Sequence, residues 1–259
     1  MAEITDFNMD FFSLKGKNAI VTGGNSGLGQ AFALALAESG ANILCPSVID
    51  DNYITKTMIE AKGVRYEFMK ADITKEGICK QIIDRCVELF GHVDILVNCA
   101  GICIIKDVME FTRKDWDPMI DLNLNAAFEL SYEAAKHMIP QNSGKIINIA
   151  SLFSFLGGLG SPAYAAMKAG LLGFTKAYAD ELGKYNIQVN AIAPGYFATE
   201  ITSFTRSDPE KYRRIQDHIP SDRWGERIDL MGAMVFLASH ASDYVNGTVV
   251  VVDGGYLVR

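Results

Sequence analysis

A chain of 259 residues, 49% hydrophobic and 21% charged, is long enough for one large α/β domain and has the composition of a globular protein with a sizeable core. Its net charge of -7 argues against a general nucleic-acid binder, which would carry a basic face. No apolar run reaches the roughly 18–20 residues that a membrane-crossing helix needs, and Glu3 and Asp6 stand where a secretory leader would be basic.

The five cysteines, Cys45, Cys79, Cys86, Cys99 and Cys103, are odd in number and make no Cys-x-x-Cys pair. They read as free thiols of a reducing compartment, so the cytoplasm is the expected location. The histidines are scattered and no metal site is expected. Neither nucleic acid nor a membrane is expected as a partner.

Residues 1–15 read as a polar lead-in carrying Phe7, Phe11 and Phe12. A β-branched strand at 17–22 is followed by a helix at 27–39, stopped by Gly40, and a strand at 42–45 ended by Pro46. The alternation continues with a helix near 52–62, strand 65–69, helix 75–90, strand 93–97 and one long helix near 113–138. Strand 145–149, a helix carrying Tyr164 and Lys168 to about Gly183, and strand 187–192 come next. An irregular polar segment at 196–225, helix 227–239 and strand 248–252 complete the order. Apolar strands separated by helices predict an α/β fold: a single Rossmann-like, doubly wound parallel sheet of about seven strands with helices on both faces. No repeat or linker divides it, so 1–259 is expected to be one catalytic domain.

Between the first strand and helix lies Thr22-Gly-Gly-Asn-Ser-Gly-Leu-Gly29. Glycines let the backbone approach a pyrophosphate closely, and the helix N-terminus offers unpaired N–H groups and partial positive charge. Gly23, Asn25, Ser26, Gly27, Leu28 and Gly29 are therefore the candidate dinucleotide cradle. The spacing is Gly23-x-x-x-Gly27-x-Gly29 rather than the commoner Gly-x-Gly-x-x-Gly. The second strand leads into Ser47, the candidate ribose contact, with Asp50 and Asp51 shortly after. No Arg or Lys stands in the glycine loop or at that strand end to meet a 2′-phosphate. NAD(H) is expected over NADP(H).

Tyr164 and Lys168 are four apart and share one helical face. An ammonium beside a phenol stabilises the phenolate, which makes the pair a candidate acid–base centre.

With these pieces in order, the chain resembles the classical short-chain dehydrogenase/reductases over nearly its whole length. The resemblance is carried by the loop at 22–29, Ala71-Asp72, Asn98-Cys-Ala-Gly101, Asn123, Ser151, Tyr164-x-x-x-Lys168 and Pro194-Gly195, with Ser151 thirteen positions before Tyr164. It implies that Tyr164 is the acid–base group, that Lys168 lowers the Tyr164 pKa and holds the nicotinamide ribose, and that Ser151 donates to the substrate oxygen. Asn123 is implied to bind a water that links Lys168 to solvent. Asp72 and Ile73 are implied at the adenine, and Asn98, Ala100 and Gly101 along the adenosine. Pro194, Gly195, Phe197 and Thr199 are implied at the nicotinamide, with Thr199 on its carboxamide. A homotetramer is the family's usual assembly. Cys99 departs from the usual Asn-Asn-Ala-Gly and cannot make an asparagine's amide bonds.

The stretches at 145–151, 190–199, 219–225 and 241–256 look most like the sugar-acid dehydrogenases, of the 2-dehydro-3-deoxy-D-gluconate 5-dehydrogenase (2-deoxy-D-gluconate 3-dehydrogenase) and gluconate 5-dehydrogenase types. Such a small anionic substrate would meet Ser151 and Tyr164 at its carbonyl. Arg206, Arg213, Arg214 and Arg223 are candidates for its carboxylate, with Arg206 and Arg223 preferred. Against that, a helix near 208–217 would leave most of them solvated. A 3-oxoacyl-[acyl-carrier-protein] reductase shares the scaffold, but Asn25-Ser26 stands where such enzymes often carry an arginine. A non-catalytic nucleotide sensor would be expected to lack the Tyr or the Lys.

Overall fold

The computed structural model describes residues 6–158, 160–200 and 202–259. The first five residues of the lead-in, Leu159 in the loop after Ser151, and Ile201 in the 196–225 segment lie outside the described residues.

Seven strands form one sheet: β1 Asn18–Val21, β2 Asn42–Ser47, β3 Tyr66–Lys70, β4 Ile95–Asn98, β5 Gly144–Ile149, β6 Ile187–Pro194 and β7 Val249–Val252. All neighbours pair in parallel, in the order β3-β2-β1-β4-β5-β6-β7. The period-2 alternation of a strand sends neighbouring residues to opposite faces. Ile20, Leu44, Leu96 and Ile146 go to one face, and pack on Ile82 and Ile83 of α3 (Ile78–Phe90) and on Leu130 and Met138 of a later helix. Ala19, Val21, Ile43, Cys45, Val97 and Ile147 go to the other, and meet Phe32 and Leu36 of α1 (Gly27–Glu38). Both faces are therefore covered, as the apolar strands require. Phe32 and Leu36 are fully buried, and each contributes about 2 kcal/mol through lost apolar surface.

The strand order reverses between β1 and β4, which opens a crevice at their carboxyl ends. Thr22 closes its floor: its Oγ1 accepts from the Cys99 and Ala100 N–H groups, both at 2.9 Å, and donates to the Val97 carbonyl at 3.3 Å. The loop is thus held through its main chain whatever side chain stands at 99.

The helix expected near 113–138 is interrupted. After α2 (Ile54–Glu60) and α3, α4 runs Arg113–Ile120, a single π turn spans Asp121–Asn125, and α5 follows as Ala126–Gln141. Asn123 accounts for the widened turn, since its Nδ2 donates to the Met119 carbonyl at 2.8 Å and occupies an acceptor of the preceding turn. Such insertions are inconspicuous in hydrophobic periodicity and recur at functional sites.

Beyond α6 (Pro162–Leu182), the 196–225 segment is also more ordered than its polarity suggests. It holds α7 (Ser203–Arg206) and α8 (Pro209–His218). Asp208 caps α8 by accepting from the Glu210 and Lys211 N–H groups at 3.1 Å, and Pro209 takes the first helical position. The helix expected at 227–239 starts with a 3₁₀ turn, so α9 is Met231–Ala238.

Candidate active site

Ser151 lies just past β5 and caps the short turn Leu152–Ser154, its Oγ accepting from the Phe153 N–H at 3.2 Å. Two bonds join this turn and strand to α6. The Ser154 hydroxyl donates to the Lys168 carbonyl at 2.8 Å, and the Lys168 ammonium donates to the Ile149 carbonyl at 2.6 Å. Lys168 Nζ lies 5.5 Å from the centroid of the Tyr164 ring, and Phe153 meets that ring edge-on at 5.9 Å. Ser151, Tyr164 and Lys168 thus converge.

Lys168 is buried, and its desolvation pushes the ammonium's pKa down to about 8. Burial pushes the Tyr164 phenol up, the Cys103 and Cys99 thiols add to the rise, and the Ser151 hydroxyl draws it back. In the protein alone the net shift of Tyr164 is therefore opposite in sign to the lowering expected from Lys168. Desolvation outweighs the lowering by the Ser151 hydroxyl.

Asn123 does not point its amide into open space. Its Nδ2 donates to the Ile102 and Met119 carbonyls, and its Oδ1 accepts from the Ile102 N–H at 3.2 Å. A small cavity lies beside it, lined by Thr22, Asn98, Asn123 and Lys168 among others. Asn98 faces the interior: its Nδ2 donates to Asn148 Oδ1 at 2.8 Å and Ser131 Oγ at 3.0 Å, while its own Oδ1 is buried without a partner. A polar cavity with an unsatisfied acceptor suits an ordered water.

The glycine loop fits a dinucleotide's pyrophosphate. Gly23 and Gly27 take φ of +64° and +52°, which favour glycine. A Cβ on Gly29 would collide with the Gly23 carbonyl oxygen, and one on Gly101 with Asn123 Oδ1. Ser26 caps α1 without a side-chain bond to the helix's first N–H groups, which keeps those donors for an anion. Asn25 fastens the loop by donating to the Ile49 carbonyl at 2.6 Å. Leu28 packs against the core cluster around α1.

At the end of β2, Ser47 accepts from the Ile49 N–H at 3.1 Å. Lys70 stands beside Ser47 in the register of β3, and its ammonium pairs with Asp50 at 2.7 Å. A cation beside this strand end thus comes from β3, not from β2 or the glycine loop, and sequence order alone does not place it there. Asp51 accepts from the Lys56 N–H in the first turn of α2 at 3.1 Å. Asp72 accepts from the Thr74 N–H and hydroxyl, which hold its carboxyl below the usual range. Ile73 is buried beside it.

Past β6, the Gly195 N–H donates to the Val252 carbonyl at 2.8 Å, and a Cβ there would press on Asp253. Pro194 closes β6, Phe197 is buried, and Thr199 accepts from Arg206 Nη2 at 3.0 Å through its carbonyl. The two preferred arginines are already engaged. Arg223 sets two nitrogens on Asp229, at 2.7 and 2.9 Å, and Arg206 bonds Thr199 and Thr202. Among the described residues, no group of three or more His, Cys, Asp or Glu could hold a metal ion, and no helix is long and apolar enough to cross a membrane.

A doubly wound parallel sheet with a glycine cradle at its reversal point, and beside it a half-buried tyrosine next to a buried lysine, defines a Rossmann-type oxidoreductase. A family model described as enoyl-(acyl carrier protein) reductase matches residues 23–257. The chain is 70% identical over 253 residues to the uncharacterized oxidoreductase YgcW of Escherichia coli (strain K12), covering 98% of this chain and 97% of that one. It is 49% identical over 249 residues to 2-dehydro-3-deoxy-D-gluconate 5-dehydrogenase of the same organism, covering 96% and 98%. Among solved structures, a gluconate 5-dehydrogenase from Burkholderia cenocepacia J2315 in complex with NADP and tartrate superposes with a TM-score of 0.90 at 35% identity, over 96% of this chain and 98% of that one. The chain belongs to the short-chain dehydrogenase/reductase family.

Proposed function

We propose that this protein interconverts a ketone and a secondary alcohol on a sugar acid, as an NAD(H)-dependent enzyme of the 2-dehydro-3-deoxy-D-gluconate 5-dehydrogenase type. The observation that carries the chemistry is the convergence of Ser151, Tyr164 and Lys168 at the carboxyl end of β5. The sugar acid is supported by the name of the relative that is 49% identical. The gluconate 5-dehydrogenase likeness keeps 5-keto-gluconate as the second substrate to test.

Ser151 Oγ already accepts from the Phe153 N–H, so its own proton is left to donate to the substrate oxygen. That donor faces negative charge as it develops. Tyr164 Oη gives its proton to the same oxygen in reduction and takes it back in oxidation. Lys168, positive below about pH 8, stabilises the phenolate that remains. Asn123 and the cavity beside it supply a place for the water that returns a proton through Lys168. A bound nicotinamide supplies or accepts the hydride.

Gly23, Asn25, Ser26, Gly27, Leu28 and Gly29 hold the pyrophosphate in this reading, and Ser47 the ribose. Asp72, Ile73, Asn98, Ala100 and Gly101 line the adenosine, Asn98 through its main chain. Tyr164, Lys168, Pro194, Gly195, Phe197 and Thr199 line the nicotinamide half. The NAD(H) preference rests on Asp50 and Asp51, which follow Ser47 in sequence, and on Asp50 engaging the Lys70 ammonium beside it. That balance repels a 2′-phosphate.

The same reading makes 1–259 one catalytic domain, located in the cytoplasm. It makes the assembly a homotetramer, for which the support is exposed apolar surface. Phe128 and Tyr132 stack at 6.2 Å on the outer face of α5, and Val251 is exposed on the edge strand β7. Sedimentation measures that state. The function is tested by following nicotinamide absorbance with keto sugar acids and acyl thioesters and with both nucleotides. Turnover of acyl thioesters alone would overturn it.

A further inference from the structure

Ser161 opens α6, with Pro162 at the first helical position, and is fully buried. A serine at this place ordinarily turns its oxygen onto the N–H groups of the first turn. The third residue of that turn is Tyr164, yet the Ser161 side chain makes no capping bond. Its hydroxyl donates instead to the Ile104 carbonyl at 2.8 Å and accepts from the Cys103 thiol at 3.8 Å. The helix forgoes a cap, and the bond goes to a segment 57 positions upstream.

That segment, 102–106, is held at both ends. Asn123 of the π turn bonds both the N–H and the carbonyl of Ile102. At the other end the Lys106 N–H donates to the Gly160 carbonyl at 2.8 Å, and a Cβ on Gly160 would meet the Lys106 carbonyl oxygen at 3.1 Å. Between them, Ile104 packs with Tyr164 on the cluster of Met119, Ala163 and Met167. The Lys106 ammonium pairs with Asp115 of α4, the helix that leads into the π turn. The contacts therefore close a ring: α4, the π turn with Asn123, the segment 102–106 and the start of α6.

We propose that Ser161 is a positioning residue for the ketone–alcohol reaction: by fastening the segment 102–106 to the first turn of α6, it holds the Tyr164 hydroxyl and Asn123 in one arrangement. The inference rests on the acid–base reading of Tyr164 above. Tyr164 lies between two ties, that of Ser161 three positions before it and the Ser154 bond to the Lys168 carbonyl four positions after it. Proton transfer requires hydrogen-bond distance to the substrate oxygen. A misplacement of about 1 Å at the reacting atoms costs up to about a hundredfold in rate. Dinucleotide binding, which rests on the glycine loop, does not depend on this tie.

The test is steady-state kinetics of wild type, Ser161→Ala, Lys106→Gln and Tyr164→Phe with a keto sugar acid, in H₂O and in D₂O, with folded sites counted by nicotinamide fluorescence. Ser161→Ala should lower kcat per folded site by about tenfold, with KM and dinucleotide affinity within about twofold. Its solvent isotope effect on kcat should exceed that of wild type, because proton transfer becomes the slower step. Lys106→Gln loosens the same segment from an exposed side chain and should move both readouts the same way by less. A merely structural serine would change the number of folded sites and leave the isotope effect alone. Wild-type kcat per folded site and isotope effect in Ser161→Ala, beside an inactive Tyr164→Phe, would overturn the positioning role and leave the acid–base reading intact. If Ser161→Ala does not fold, the same two readouts in Lys106→Gln decide. Wild-type turnover in Tyr164→Phe would overturn both.

Discussion

The Ser154 hydroxyl donates to the main-chain carbonyl of Lys168 at 2.8 Å, so the turn that presents Ser151 is fastened to the helix that presents Tyr164. The bond crosses between elements that the sequence separates by fourteen positions. It sets the spacing between the proposed oxyanion donor and the proposed proton donor. Ser154→Ala should cost about 1 kcal/mol of stability in urea denaturation, the net worth of one such bond. It should lower kcat several-fold with KM little changed, because the acid–base geometry loosens while the far end of the substrate keeps its contacts. A variant with wild-type kcat would show that the Lys168 ammonium's bond to Ile149 aligns the site by itself.

Tyr164→Phe removes one hydroxyl from a ring that Phe153 and Lys168 already hold in place. Turnover should fall by about 10²–10⁴, the usual share of general acid–base catalysis. Dinucleotide affinity, read by nicotinamide fluorescence, should stay within about threefold of wild type, because the glycine loop and the first turn of α1 are untouched. A variant that keeps wild-type turnover would remove Tyr164 from the chemistry.

The pH dependence follows from the same pair. The phenol of Tyr164 is pushed up and stays protonated through neutrality, while Lys168 is pushed down to about 8. Ketone reduction needs the phenol's proton and the ammonium that stabilises the departing charge. Its kcat/KM, which reports the free enzyme, should therefore be level below pH 8 and fall above it. Alcohol oxidation needs the phenolate and should rise with pH. Folding stability moves in the opposite sense to reduction. The folded pKa of Lys168 lies below its ordinary 10.5, so the unfolded chain binds more protons between about 8 and 10.5, and this group's contribution to stability grows across that interval. A reduction profile that stays level through pH 9 would contradict the burial argument.

The sheet was legible in the sequence because its strands are buried on both faces and have to be apolar throughout. Glycines at 23, 27 and 29 were legible because close packing and left-handed backbone leave few alternatives. Interactions between distant segments were not. The π turn at Asp121–Asn125 keeps helical periodicity on both sides and shows itself only through the Asn123 bonds to Ile102 and Met119. Arg223 reads as an unpaired cation until Asp229 is seen to pair with it. Cys99 reads as the loss of a contact until Thr22 is seen to hold the main chain at that point. Strand register hid Lys70 in the same way, because its nearness to Ser47 depends on how β2 and β3 align.

That register sets up the test of cofactor choice. Lys70 and Asp50 form an exposed pair at 2.7 Å, of a kind that adds little to stability, so altering it should leave the fold unchanged. Asp50→Asn removes the carboxylate that engages Lys70 and reduces the negative charge near the proposed ribose site. The freed ammonium should then attract a 2′-phosphate. The ratio of kcat/KM for NADPH to that for NADH should rise by about tenfold, equivalent to about 1.4 kcal/mol between an attractive and a repulsive neighbour. Asp50→Asn combined with Lys70→Gln should return the ratio towards wild type, since no cation remains to hold the phosphate. The single and double variants together separate charge from shape. If Asp50→Asn leaves the ratio unchanged, cofactor choice is made at Ser47 and the glycine loop instead, without the pair.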